Sequence, residues 1–132
     1  MKTICIVHDG QESHLPRKHF LEMTGYRVLA YATGAACLEA LERDRPDLVV
    51  LDILLEGRNG YEVCRELRTR ASADELPIVL CSRIYRSSVF REEAHAAGAQ
   101  AFLLLPMRLE EFAEAVGELL EGGTSAPREA AA

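Results

Sequence analysis

PDLVVLDILLEGRNGYEVCRELR (46–68) is the stretch that decides how this chain folds. Its first part, DLVVLD (47–52), is a run of aliphatic residues closed by one acid, Asp52. A short run that is apolar at successive positions reads as a strand covered on both faces. A polar loop follows with Gly57 and Gly60, and Asn59 stands where a helix N-cap belongs. Tyr61, Val63, Cys64 and Leu67 then recur at helical spacing. Strand, loop and helix follow one another, and a lone carboxylate is left at the tip of a buried strand.

The same grammar runs outward in both directions. TICIV (3–7) is another short apolar run, and the residues after it close on His8 and Asp9. Leu15, Phe20, Leu21 and Met23 alternate with charges up to Gly25, which predicts a helix over 13–24 that begins near Pro16. YRVLAYA (26–32) is a second strand, and Thr33-Gly34 opens a second helix that stops before Pro46. PIVLCS (77–82) is the fourth strand, 87–97 a weaker helix ending at Gly98, and AFLLL (101–105) the fifth strand. Leu109, Phe112, Ala113, Val116, Leu119 and Leu120 mark a last helix, and 121–132 has no period and reads as a tail or linker. Strands that alternate with helices over short connections predict one α/β domain, residues 1–120, with a parallel sheet and right-handed crossovers.

Bulk properties narrow the function. The 132 residues are 48% apolar and 27% charged, with 15 basic against 21 acidic residues and a net charge of −6. That balance opposes direct nucleic-acid binding, which needs a basic face. Cys5, Cys37, Cys64 and Cys81 form no CxxC pair and no zinc-type spacing with histidine. Cys5 and Cys81 fall in strand runs and read as small buried hydrophobes. No apolar run approaches the roughly 18–20 residues of a membrane span, and the expected setting is cytoplasmic.

In an open parallel sheet, ligands bind beyond the carboxyl ends of the strands, where the strand order reverses. His8 and Asp9 close strand one, Asp52 strand three and Ser82 strand four. If strands one and three are neighbours, Asp9 and Asp52 converge. Two carboxylates about 4 Å apart repel by roughly 4 kcal/mol at an effective dielectric near 20. A hard divalent cation such as magnesium removes that penalty, and a carboxylate beside it can accept a phosphoryl group.

With these residues in this order, the chain resembles the receiver domain of bacterial two-component response regulators. The resemblance rests on 46–68, on GYRVLAYATGAACLEAL (25–41) and on AHAAGAQAFLLLPMRLEEF (94–112). It implies a flavodoxin-like three-layer sandwich with five parallel strands in the order 2-1-3-4-5, and phosphorylation of one aspartate by a sensor histidine kinase with magnesium. By position, Asp52 matches the phosphoacceptor and Asp9 an acidic metal ligand. Leu54 matches the residue whose backbone carbonyl binds the metal, Ser82 the switch hydroxyl, and Phe102 the switch aromatic. The resemblance also implies a partner face on helix four, strand five and helix five, to which Tyr85, Phe90, Phe102 and Met107 contribute apolar contact.

The departures are as informative. His8 stands where the family has the first acid of its pair, and Leu105 where it has a lysine before Pro106. Glu56 stands where proline is common, and Arg83 where a small residue is usual. A lost charge-assisted hydrogen bond is worth about 1.5–3 kcal/mol, roughly 10- to 150-fold in a switch equilibrium. Neutral imidazole at His8 attracts magnesium poorly, so a weak metal site is expected. Glu56 is a candidate to return the lost charge. Arg83, and after it Arg58, are candidates to pair with Asp52 in the lysine's place. His14, His19 and His95 show no ligand grouping, and the first two are expected on solvent faces.

The expectation is therefore an atypical receiver domain, a signalling and protein-interaction module with impaired or absent phosphorylation-dependent switching. Its alternative is a working phosphoacceptor in which Arg83 replaces the lysine. A homodimer stays open. A phosphohydrolase with Asp52 as nucleophile wants a second acid two residues on, where Leu54 stands. A flavodoxin-type cofactor site wants a phosphate-cradling glycine pattern that HDGQESH (8–14) lacks.

Overall fold

The computed structural model describes residues 1–121. In chain order the elements are β1 (Thr3–Val7), α1 (Leu15–Met23), β2 (Arg27–Tyr31), α2 (Gly34–Leu41), β3 (Leu48–Asp52), α3 (Gly60–Arg70), β4 (Ile78–Ser82), α4 (Ser88–Ala96), β5 (Ala101–Leu104) and α5 (Leu109–Leu120). All strand pairs are parallel, and the order is β2-β1-β3-β4-β5. The parallel sheet is the one expected from the alternation, and the strand order is that of the flavodoxin-like sandwich the resemblance implies. From residue 122 onward the expected tail lies outside the described residues.

The apolar runs are buried because helices cover both faces of the sheet. Successive residues point to opposite sides. Ile4, Ile6, Val50 and Leu103 pack with Leu21 of α1 and Phe112 of α5. Cys5, Val7, Leu51 and Phe102 pack with Leu38 of α2, Val63 of α3 and Ala94 of α4. All four cysteines are buried and unbridged. Among the described residues, no helix is long and apolar enough to cross a membrane.

Local chemistry sets the element ends. The Thr33 hydroxyl accepts the Ala36 N–H at 3.1 Å and starts α2. Asn59 and Glu62 exchange side-chain and backbone bonds of 3.0 and 3.4 Å, a capping box that starts α3. α1 begins one residue before Pro16, behind a single 3₁₀ turn (Glu12–His14), which leaves Pro16 in the first helical turn. β5 stops at Leu104, one residue short of expectation, although the Leu105 N–H still donates to the Ser82 carbonyl at 2.8 Å.

One expectation is corrected here. His14 is not on a solvent face; it is 7% exposed. The 3₁₀ turn folds its ring flat onto His8, and its Nδ1–H donates to the Gln11 carbonyl at 2.8 Å. His19 is exposed as expected.

Candidate functional site

β1 pairs with β2 on one side and β3 on the other, so the chain reverses direction across the sheet at β1. At the carboxyl ends Val7 lies beside Leu51, and Asp52 beside Cys81. Asp9, Asp52, Leu54, Ser82 and Arg83 thereby line one crevice of about 170 Å³. The loop leaving β3 is pulled tight by the Gly60 N–H, which donates to the Ile53 carbonyl at 2.7 Å. A Cβ at residue 60 would collide with the Asp52 carbonyl oxygen and lie 2.9 Å from the Ile53 Cα. Only glycine lets α3 start this close to the site.

Asp9 turns one carboxylate oxygen to the Gln11 N–H, 2.9 Å away, which fixes the loop after β1. Its backbone N–H favours the charged form of the Asp52 carboxylate. Burial pushes the Asp52 carboxyl up to about 6. The Arg17 guanidinium is the strongest opposing influence, Asp9's charge adds to the rise, and Arg83 and the Asp9 N–H pull it down less. Ser82 is buried, and its oxygen accepts the Ile84 and Tyr85 N–H groups at 3.1 and 2.8 Å. With both lone pairs engaged, the Ser82 hydroxyl proton is left to donate.

Other residues singled out in the sequence lie elsewhere. The Gly10 N–H donates to His8 Nδ1 at 3.0 Å, and the ring rests on His14, so His8 faces its own loop rather than the crevice. Burial first, then the His14 and Arg17 charges, hold His8 below the usual imidazole range against the pull of Asp9. Glu56 is exposed, joined through its backbone to Thr33, and does not line the crevice. Arg58 pairs with Glu66 at 2.8 Å. Leu105 is 2% exposed and belongs to the core under α1 and α5. Phe102 is fully buried on the α4 face, so it adds no surface to a partner site in this conformation.

The family model of the response regulator receiver domain matches residues 4–117. The chain is a member of the receiver domain family. Response regulator MprA of Mycobacterium leprae is 36% identical over 118 residues, 89% of this chain and 50% of that protein. The chain thus spans about half the length of the curated relatives it matches. Among solved structures, a putative response regulator from Chloroflexus aurantiacus superposes with a TM-score of 0.83 at 28% identity, covering 91% of this chain and 98% of that one. A LuxR-family two-component response regulator from Aurantimonas superposes with a TM-score of 0.85 at 25% identity, covering 94% and 88%.

Receiver domains are signalling modules that meet histidine kinases and output domains and bind magnesium beside the phosphorylated aspartate. The oxygen donors here suit a hard cation: the Asp9 and Asp52 carboxylates and the Leu54 carbonyl belong to residues lining one crevice. The donor set carries one carboxylate fewer than the family's acidic pair plus acceptor supplies. Among the described residues, no group of three His, Cys, Asp or Glu side chains is placed to hold a metal.

Sequence reasoning misses Arg17. This α1 side chain is 7% exposed, and its charge acts on Asp52 more strongly than that of Arg83. The available signal is its position four residues before Leu21, on the stripe α1 buries.

Proposed function

We propose that this receiver domain is a signalling and protein-interaction module in which phosphorylation at Asp52 is impaired, with a raised magnesium demand and a weakened switch. The observation that carries this reading is the composition of the crevice. It keeps Asp9, Asp52 and Ser82 together, while the His8 ring is committed to His14 and the Leu105 side chain to the core. Asp52 retains a nucleophilic carboxylate at neutral pH, because its titration at about 6 leaves it mostly ionised. Asp9, Asp52 and the Leu54 carbonyl would hold magnesium with less negative charge than usual, and the cation would neutralise the incoming phosphoryl group. Ser82 would donate its proton to a phosphoryl oxygen.

A partner kinase or output protein would meet the face formed by α4, β5 and α5. Ile84 and Val89 are 62% and 57% exposed beside the stacked rings of Tyr85 and Phe90, which supports an apolar contact there. The acidic balance argues against direct nucleic-acid contact by this domain.

The test is a small phosphodonor with titrated magnesium, read by intact mass. The expected result is a partial phosphoryl gain that climbs across the titration and vanishes in Asp52→Ala. Complete phosphorylation at low magnesium would instead establish an ordinary acceptor, and no gain at any magnesium would establish a phosphorylation-independent module. The ordinary acceptor with a surrogate cation at Arg83 has one observation in its favour. Arg83 lines the crevice, and its charge favours the Asp52 carboxylate.

A further inference from the structure

We propose that the Arg17 guanidinium, on α1, is the cation that meets the phosphoryl oxygens carried on Asp52, filling the role left open by Leu105. The proposal deepens the reading above and rests on Asp52 taking a phosphoryl group.

Arg17 is 7% exposed, yet its Nε has no hydrogen-bond partner and one Nη reaches the Ser13 carbonyl only at 3.5 Å. A guanidinium carries five donors. With its buried Nε unpartnered, the guanidinium is costly to hold there unless an anion completes it. Its carbon sits 5.7 Å above the Phe112 ring of α5, a cation–π contact that holds it in reserve without consuming its donors.

Its surroundings point to the same anion. Arg17 lines a groove of about 390 Å³ with Ser13, Leu105, Pro106, Met107 and Arg83. Arg83 also lines the Asp52 crevice, so the two hollows share a wall. A lysine at position 105 would fill this region with an ammonium; Leu105 packs into the core and supplies none. An acyl phosphate would raise the charge on Asp52 to about two negative units, and the guanidinium's planar fork matches phosphoryl oxygens in pairs. Arg83 is exposed, where solvent and salt screen it.

The experiment uses the full chain, magnesium and beryllofluoride, a phosphoryl mimic that forms on an aspartate, read by fluorine NMR and calorimetric titration. Arg17→Met keeps the bulk and removes the charge; Arg17→Gln keeps a polar group if the first variant folds poorly. Either variant is expected to lose about 10- to 150-fold in affinity and to shift the bound fluorine signals, and Arg83→Ala is expected to lose less. A loss below tenfold in both Arg17 variants, or a larger loss in Arg83→Ala, overturns the inference alone. A wild-type domain that takes up no beryllofluoride overturns the phosphoacceptor reading and this inference together.

Discussion

The rings of His8 and His14 lie 3.6 Å apart between centroids and within 6° of parallel. That stack explains how the domain tolerates a histidine where receivers carry an acid. The neutral imidazole is spent on a local contact, and Nδ1 takes the Gly10 N–H. The Asp9–Asp52 crevice therefore carries one fixed charge fewer because of a residue that folds away from it.

Returning the charge should return the metal. In His8→Asp the carboxylate has no aromatic partner on His14 and sits beside Asp9 at the end of β1. Magnesium affinity is expected to rise at least about tenfold, a gain of about 1.4 kcal/mol, measured by calorimetric titration. Equal affinities in variant and wild type would show that His8 is not what weakens the site.

Asp52 makes stability depend on pH. Its carboxyl titrates at about 6 in the fold against an ordinary 3.8. The fold prefers the protonated acid, so this stabilisation is complete below about 4 and is lost as pH rises through about 6. A shift of about two units corresponds to on the order of 3 kcal/mol. Asp52→Asn has no charge to desolvate. Its stability advantage over wild type, from urea midpoints, is expected to be small near pH 4.5 and to approach about 3 kcal/mol by pH 7.5. A difference that stays constant across that range would mean the carboxylate is well solvated.

The alternating α/β fold was legible because it follows from local pattern: apolar runs closed by acids, alternating with helical stripes. That Asp9 and Asp52 converge required strands one and three to be neighbours, an order supplied by the family resemblance. What could not be read is whatever depends on a side chain's route through space. Adjacency to Ser82 points to Arg83, yet the stronger cation on Asp52 is Arg17, 35 residues earlier in the chain and on another element. His14 sits in a polar stretch, and its burial arises from a 3₁₀ turn no periodicity announces. Glu56 follows Asp52 closely in sequence but points out of a loop whose course Gly60 sets.

Arg68 offers a test of stability that leaves the site alone. Its guanidinium donates to the Leu76 and Gly98 carbonyls at 2.7 and 2.8 Å and to the Gln100 side chain at 2.6 Å. Gln100 in turn accepts the Ile78 N–H at 2.8 Å, tying the starts of β4 and β5 together. Arg68→Ala leaves these acceptors without their donor and is expected to cost about 2–4 kcal/mol in chemical denaturation. Beryllofluoride affinity, measured where the variant is fully folded, should match wild type. A large affinity loss there would show that this end of the sheet is coupled to the crevice.

Arg17 and Leu105 line one groove, so exchanging their chemistry should be non-additive. Leu105→Lys alone brings an ammonium beside the buried guanidinium and is expected to destabilise, because like charges meet with little water between them. Arg17→Leu alone removes a buried charge with an unpartnered Nε and is expected to be neutral or stabilising. Together they restore one cation and one aliphatic side chain to the shared space. The double variant should be more stable than the sum of the singles by at least about 1 kcal/mol in urea denaturation. If the effects add within about 0.5 kcal/mol, the two positions are independent, and a surrogate role for Arg17 loses its structural basis.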